Sequence, residues 1–303
     1  MSQIITEEYL EDFEQGLDPQ FPERSRIPAK VIGFGEISSI FKIEGISNWI
    51  FKRLPLFETI KQTKSYINNY VQYTDYLKGI GIDLPGDFSR VVKGKKVVLY
   101  LAQEEIKKED LCQNILQIQS EEENLLMLRD IFKEIKKVYL FNQENKDKVE
   151  LSIDGQVSNW AMVNGKLLFF DTSTPLFKLF GKEQLNPELL LNSTPKALRW
   201  MIRSFFLQEV MDRYYNLHEV YLDVLANLIK ERKEELIQKS MNIANNILPE
   251  GIEKITKKEI DKYYHNDKFI WQLFLGLRRM DRWMTINIFG KQYEFILPGK
   301  IKR

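Results

Sequence analysis

An Asn-Gly pair between two apolar runs is the sequence feature that most constrains the fold of this chain. The pair is Asn164-Gly165, and the runs are residues 160–163 (WAMV) and 166–170 (KLLFF). Asn and Gly both tolerate the positive φ of a type I′ turn, so the pattern predicts a β-hairpin.

Polar side chains flank this hairpin at one end. Asp154 and Asn159 precede it, and Asp171 follows it directly. In metal-assisted phosphoryl transfer, one carboxylate orients the attacking hydroxyl, while an amide oxygen and a second carboxylate hold Mg²⁺. Asp and Asn are also frequent turn residues, so an ordinary solvated hairpin is the alternative interpretation of this segment alone.

The sequence Asp-x-x-x-x-Asn, a hairpin and then Phe-Asp resembles the catalytic and metal loops of the protein-kinase-like fold. That fold includes the eukaryotic-type protein kinases and the aminoglycoside and choline phosphotransferases. The resemblance implies that Asp154 orients the acceptor hydroxyl and that Asn159 and Asp171 bind Mg²⁺.

The loops depart from the family pattern at several positions. Ser152 stands where the family has His, and Gln156 stands where it usually has Lys or His. Thr172-Ser173 replaces Phe-Gly after the second aspartate. Gln156 is a candidate catalytic residue because its amide can donate to a phosphate oxygen, although it supplies no positive charge to the transferring group.

A glycine-containing turn near the start of the chain resembles the kinase Gly-rich loop. Gly33-x-Gly35-x-x-Ser38 lies between two β-rich runs, with Ser38 at the position of the third glycine. Glycines let the backbone lie over phosphates and point N–H groups at them.

Lys52 ends a following apolar strand that Pro55 is expected to close, and the resemblance implies that Lys52 pairs with the nucleotide phosphates. Taken alone, the glycines fit a plain turn and Lys52 fits an outward-facing strand lysine.

A helix is predicted over residues 59–78 from its apolar spacing, with no glutamate in its interior to pair with the strand lysine. A hairpin over 88–92 and 96–101 follows, turned at Lys93-Gly94, and residues 102–105 are expected to form a hinge. On the family resemblance, the backbone from Leu101 to Gln103 would meet the adenine edge.

The predicted fold class is therefore α+β, with the two lobes of a protein-kinase-like fold. Residues 1–101 would form an N-lobe with a small antiparallel sheet and one main helix. Residues 102–303 would form a largely helical C-lobe that ends in a β-hairpin. Residues 7–15 would form either a helix on the outside of the first lobe or a frayed tail. The other predicted helices are those over 111–119, from Ser120, from Pro187, from Pro195 to 214, and over 218–247, 257–264 and 268–282. A terminal hairpin is predicted over 285–289 and 292–297, with a type II′ turn at Gly290-Lys291.

Composition excludes several classes of protein. Lys and Arg number 44 and Asp and Glu 43, so net charge gives no reason to expect nucleic acid or an anionic membrane as a partner. Cys112 is the only cysteine, and His218 and His265 belong to no metal-ligand pattern. No apolar run has the roughly 20 residues of a membrane span, and the N-terminal sequence is not that of a signal peptide, so a cytoplasmic location is expected.

Five arginines in the second half could form an anion site or a solvated basic face, and both interpretations stay open. They are Arg199, Arg203, Arg278, Arg279 and Arg282.

The order of these motifs predicts an ATP- and Mg²⁺-dependent phosphotransferase. Only three residues separate Asp171 from Pro175 and no Ala-Pro-Glu segment follows, which favours a small-molecule hydroxyl acceptor over a protein substrate. The alternative is a catalytically inactive kinase-like protein that binds nucleotide or acts as a scaffold. Gln156 and the missing helix glutamate favour that alternative. The sequence leaves the acceptor and the oligomeric state open.

Overall fold

The computed structural model describes residues 5–34, 38–93, 96–191, 199 and 208–297. The fold is α+β, with an antiparallel sheet in the first third of the chain and mostly helices after it. Gly35 and Gly94 lie outside the described residues, as do residues 195–198 and 200–207 of one predicted helix, Arg203 among them. The last part of that helix is observed over Gln208–Arg213.

The main sheet has five antiparallel strands in the order β1-β2-β3-β5-β4. Their bounds are β1 Ala29–Phe34, β2 Ser39–Ile43, β3 Trp49–Phe57, β4 Asp87–Lys93 and β5 Val97–Glu104. Pro55 does not end β3 as expected. It lies inside the strand, where the register with β5 shifts between Leu54 and Phe57, and such an irregularity tolerates a residue without an N–H.

Helices cover both faces of this sheet, which explains why β3 is buried along most of its length. Helix α1, Glu7–Gly16, packs Leu10 and Phe13 on one face, where the Phe13 ring meets Phe41 and Tyr100 edge-on. Helix α2, Ile60–Gly79, covers the other face and begins with a capping box at Thr59. Both helices were predicted.

The predicted hairpin at Asn164-Gly165 is confirmed. Strands β7, Trp160–Val163, and β8, Lys166–Phe169, pair in register, and the turn residues have φ of 52° and 77°. Three short strands beside it were not predicted as a sheet: β6 Val149–Leu151, β9 Phe177–Leu179 and β10 Lys182–Glu183.

Helices form most of the rest of the described chain, around one large apolar core. They are α3 Cys112–Ile118, α4 Glu121–Asn145, α5 Glu188–Leu191, α6 Gln208–Arg213, α7 Leu217–Lys230, α8 Ile237–Ile247 and α9 Lys257–Asn287. The capping box predicted at Ser120 is present at the start of α4.

Three helix predictions in the second half were wrong. The helix predicted over 218–247 is two helices, because α7 ends at Lys230 and Arg232 adopts φ of +60°. The Lys233 N–H then bonds the Leu228 carbonyl, as in a Schellman cap, without the usual glycine. The helices predicted over 257–264 and 268–282 are one, α9, because residues 265–267 include neither Gly nor Pro.

The predicted terminal hairpin is also wrong. Helix α9 continues to Asn287, and residues 288–297 form no strand. They return along the chain's first third instead, where Gln20 Nε2 donates to the carbonyls of Tyr293 and Phe295.

Candidate functional site

The loop that carries Asp154 is held in place by apolar packing and by its neighbours' backbone. A Cβ at Gly155 would lie 2.6 Å from Ile135 and 2.8 Å from Val220, so only glycine fits beside Asp154. Ser152 is buried, and its hydroxyl donates to the Leu176 carbonyl at 2.8 Å. The loop therefore has little freedom to move against the core.

Backbone hydrogen bonds bring Asn159 beside the residue that precedes Asp171. The Phe170 N–H donates to the Asn159 carbonyl at 3.0 Å, extending the β7–β8 pairing by one step. The Asn159 amide nitrogen donates to the Asp154 carbonyl at 3.2 Å, which leaves its side-chain oxygen as the atom suited to a metal. The three predicted residues thus meet at one end of the hairpin.

Lys52 reaches this same point from strand β3. Its Nζ lies 3.0 Å from Asp171 Oδ1 and donates to the Phe170 carbonyl at 3.3 Å and to the Ser173 hydroxyl at 3.5 Å. Lys52 is 5% exposed, whereas the Asp171 side chain is 38% exposed. The lysine is therefore a buried charge that Asp171 neutralises, and the carboxylate is open to solvent on one side.

The candidate nucleotide-binding residues share one face of the sheet with Lys52. Gly33 pairs with Ile40, Ile40 with Lys52, and Lys52 with Leu101, which places them in one row across four strands. Residues directly opposite in a sheet project to the same side. Ser38 is buried and lies immediately before β2.

Strand β5 extends to Glu104, so it takes up most of residues 102–105, the segment expected to form a hinge. Leu101 and Gln103 lie inside β5, which pairs with β3 on one side and β4 on the other, so their backbone is occupied by the sheet. Leu101 instead contributes to the apolar cluster under α2. Gln103 contributes its side chain: Nε2 donates to the Phe170 carbonyl at 2.9 Å, while Oε1 is buried with no hydrogen-bond partner in the described structure.

The two aspartates of the site have opposite pKa shifts. Burial raises the pKa of Asp154 to about 6, and the negative charge of Asp171 adds to that effect. Burial acts in the same direction on Asp171, but the Lys52 ammonium and the Ser173 hydroxyl outweigh it and lower the pKa of Asp171. Asp171 is therefore the member of the pair that keeps its charge to lower pH.

Two residues of helix α7 belong to the site and were not predicted. Gln156 Nε2 donates to Asp223 Oδ2 at 3.1 Å, and Lys230 Nζ lies 3.5 Å from Gln156 Oε1. Asp223 is buried, and burial together with the nearby Asp154 charge raises its pKa. The available signal was a single carboxylate between apolar neighbours, Leu222 and Val224, on an otherwise apolar helix.

The arginines considered for an anion site are not simply a solvated face. Arg278 is buried, and its guanidinium lies over the rings of Phe274 and Phe295 at 5.7 and 5.4 Å. His218 contacts the Glu253 carbonyl and lies 3.6 Å from Glu259, outside the cleft.

Asn159 and Asp171 are the residues of this cluster that could hold a Mg²⁺ ion. Within the described ranges, no group of three or more His, Cys, Asp or Glu side chains is arranged to hold a metal. Asn159 and Asp171 supply two oxygen ligands, and Mg²⁺ commonly completes its shell with phosphate oxygens and water. The unpartnered, buried Gln103 Oε1 is a further acceptor that a polar ligand could satisfy.

The protein is therefore an α+β chain in which a buried lysine, two aspartates and an asparagine meet at the end of a hairpin. Residues 46–282 match the model of a family described as "Family of unknown function (DUF6206)", and the chain belongs to that family. No curated protein matches the chain in sequence. In the part of the chain that the structure describes, no helix has the length and apolar character needed to cross a bilayer.

Proposed function

We propose that this protein is an ATP- and Mg²⁺-dependent phosphotransferase with a protein-kinase-like, two-lobed architecture that acts on a small-molecule hydroxyl. The observation that carries the proposal is the contact between Lys52 and Asp171, 3.0 Å apart although 119 positions separate them in the chain. Two motifs that were identified separately in the sequence, the lysine of β3 and the aspartate after the hairpin, thus lie in contact. A lysine that binds phosphate and an aspartate that binds the metal need to be close together in this way.

Each residue has a distinct role in this proposal. Asn159 and Asp171 would hold Mg²⁺, which when bound neutralises charge on the phosphates. Lys52 would donate to the phosphates, and the turn that contains Gly33, Gly35 and Ser38 would cover them. Gln103 would contribute its free amide oxygen to the nucleotide.

Asp154 would accept a hydrogen bond from the acceptor hydroxyl and align it for attack. Its Oδ1 accepts a hydrogen bond from the Gln156 N–H at 3.2 Å, so the loop holds the carboxylate in place. Gln156 does not extend toward the phosphates, because its side chain is bound to Asp223 and Lys230. It would therefore act on Asp154 through the loop.

The short connection after Asp171 supports a small-molecule acceptor. Strand β9 begins at Phe177, and Thr172 and Ser173 between them are buried. A peptide substrate usually needs an exposed segment to lie against. In this proposal residues 1–101 form the N-lobe and residues 102–303 the C-lobe, with the cleft between them.

The engagement of Gln156 also favours the second candidate, a kinase-like protein that binds nucleotide without turnover. Gln156 is bound to Asp223, and among the residues that the structure describes Lys52 is the one cation paired with Asp171. Retention of Asp154, Asn159 and Asp171 in one place favours the active enzyme.

A thermal-shift titration tests nucleotide binding. Melting temperatures would be compared with Mg²⁺-ATP, with ATP and EDTA, and with Mg²⁺ alone. A ligand at about 100 times its dissociation constant should add roughly 2.7 kcal/mol to the free energy of unfolding. We expect a shift with Mg²⁺-ATP only, and equal melting temperatures in all three conditions at millimolar ligand would contradict the proposal.

A further inference from the structure

We infer that three tyrosines of helix α2 position the catalytic and metal loops, in place of a helix glutamate. Tyr66, Tyr70 and Tyr73, here called the tyrosine row, lie on one face of α2 and are buried. The inference rests on the proposed function, because it assigns a role within that site.

Each hydroxyl of the row reaches a loop of the site. Tyr66 donates to the Ser173 carbonyl, and Tyr73 donates to the Ser152 carbonyl at 2.9 Å. Tyr70 donates to Asp87 at 2.8 Å and shares a hydrogen bond with the Thr172 hydroxyl at 3.3 Å. The row therefore links one helix to both loops and to strand β4.

The bonded positions lie directly beside the two aspartates. Thr172 and Ser173 follow Asp171, and Ser152 precedes Asp154 by two residues. Lys52 holds Asp171 from the sheet, and the tyrosine row holds the backbone after it from the helix. Strand β3 and helix α2, both far from Asp171 in sequence, thus hold it from two sides.

The acidic residues near this helix do not perform that task. Glu58 and Asp75 are both exposed, and the partner of Lys52 is Asp171 itself. A helix glutamate would compete with Asp171 for the lysine. Phenols hold the loop without adding charge, and burial raises the pKa of all three well above its usual range, so they stay neutral.

Replacing single tyrosines by phenylalanine tests this role, since only a hydroxyl is removed. Tyr66→Phe should weaken Mg²⁺-ATP binding by about three- to tenfold, the usual effect of one hydrogen bond, because it frees the segment after Asp171. Tyr73→Phe should lower kcat by a similar factor while the affinity for Mg²⁺-ATP stays within twofold, because it frees the segment before Asp154.

Tyr76→Phe is the matched control on the same helix. Its ring packs against Phe141 and Phe177, and its hydroxyl makes no hydrogen bond within the described residues. Tyr76→Phe should leave both affinity and kcat unchanged.

Hydrogen exchange in the unliganded proteins gives a readout that does not depend on activity. Tyr66→Phe should speed exchange in a peptide covering 171–177, and Tyr73→Phe in one covering 150–156. Tyr66→Phe and Tyr73→Phe variants that match Tyr76→Phe in exchange, affinity and kcat, or that differ only in melting temperature, would overturn the role of the tyrosine row. Wild-type protein that binds no Mg²⁺-ATP would instead overturn the proposed function.

Discussion

Lys52 Nζ and Asp171 Oδ1 form an ion pair of 3.0 Å in which the lysine is buried and the carboxylate is partly exposed. The pair joins the sheet to the segment that follows the hairpin. Because the carboxylate retains solvent access, a metal ion could reach it while Lys52 remains anchored by the Phe170 carbonyl and the Ser173 hydroxyl. The pair is therefore both a structural link and the centre of the candidate site.

Asp171→Asn should abolish Mg²⁺-dependent nucleotide binding and leave the fold intact. The amide keeps the shape of the side chain but offers a neutral and weaker metal ligand. The measurements are calorimetric titration with Mg²⁺-ATP and the far-UV circular dichroism spectrum. Asp130→Asn is the control, since Asp130 is partly exposed on α4 and pairs with Arg129 and Lys133 of the same helix. Wild-type affinity in Asp171→Asn, or its unfolding, would show that the metal role is wrong.

Asp154→Ala separates an active kinase from an inactive one. In an active enzyme the change should keep Mg²⁺-ATP affinity and lower turnover by about 10²–10⁴, the usual contribution of a positioned general base. The assay pairs calorimetry with ATP hydrolysis or acceptor phosphorylation followed over hours. Equal residual turnover in wild type and Asp154→Ala would rule out the active kinase and leave the nucleotide-binding alternative.

Activity should depend on the ionisation of Asp154. The pKa of this carboxyl is raised to about 6, so turnover should fall about tenfold per pH unit below that value and level off above it. Asp171 should not contribute to this limb, because Lys52 lowers its pKa. A pH–rate profile that stays flat down to pH 5 would contradict the assignment.

The same carboxyl should make the free energy of unfolding depend on pH, but here the protonated form is the favourable one. Its native pKa lies above the unfolded value of about 3.9, so the native state binds the proton more tightly. Its contribution to the free energy of unfolding should be complete below about pH 4 and disappear as the pH rises to about 6. Denaturant titrations of wild type and Asp154→Asn would measure it, and an unchanged pH dependence in the variant would refute it.

Arg53 is buried on the face of β3 opposite to Lys52, and we expect loss of one of its partners to lower the free energy of unfolding. Arg53 is 2% exposed and is bound by Glu14 of α1 and by Glu294, whose carboxylate lies 3.0 Å and carbonyl 2.8 Å away. Glu294→Ala should lower the free energy of unfolding by about 2 kcal/mol, as expected for a lost hydrogen bond to a charged group.

Glu235→Ala is the control for that measurement. The Glu235 side chain is exposed and lies 3.8 Å from Lys233, and its removal should cost less than about 0.5 kcal/mol. Urea denaturation of both variants gives the comparison. Equal midpoints would mean that the Glu294 contact adds nothing to stability.

Local chemistry was enough to predict some elements of this fold. The turn at Asn164-Gly165 and the cap at Ser120 depend on residues within a few positions of each other, and both are present. The end of α7 could not be predicted, because its left-handed residue is Arg232 and no glycine marks it. The terminal hairpin failed because Gly290 was taken as a turn between strands, whereas residues 293–296 contact distant partners.

The candidate site was predictable in its residue types but not in its contacts. Asp154, Asn159 and Asp171 come from one segment, so their proximity follows from the hairpin. Asp223 joins them through Gln156 across 67 positions, and the tyrosine row looked like an ordinary apolar helix face. The hydrogen-bond partners of these hydroxyls could not be predicted, because they depend on which segments pack against α2.

The contact between Arg53 and Glu294 has a consequence for the order in which the protein can be completed on the ribosome. The two residues are 241 positions apart, which at about 5–20 residues per second takes about 12–48 seconds of translation. Throughout that interval, Glu14 is the carboxylate already available to the guanidinium. Until Glu294 is made, the Arg53 guanidinium lacks the carbonyl and the carboxylate that Glu294 offers as hydrogen-bond acceptors. A ribosome stalled before codon 294 should therefore hold a first third that exchanges its β3 amides faster than the finished protein.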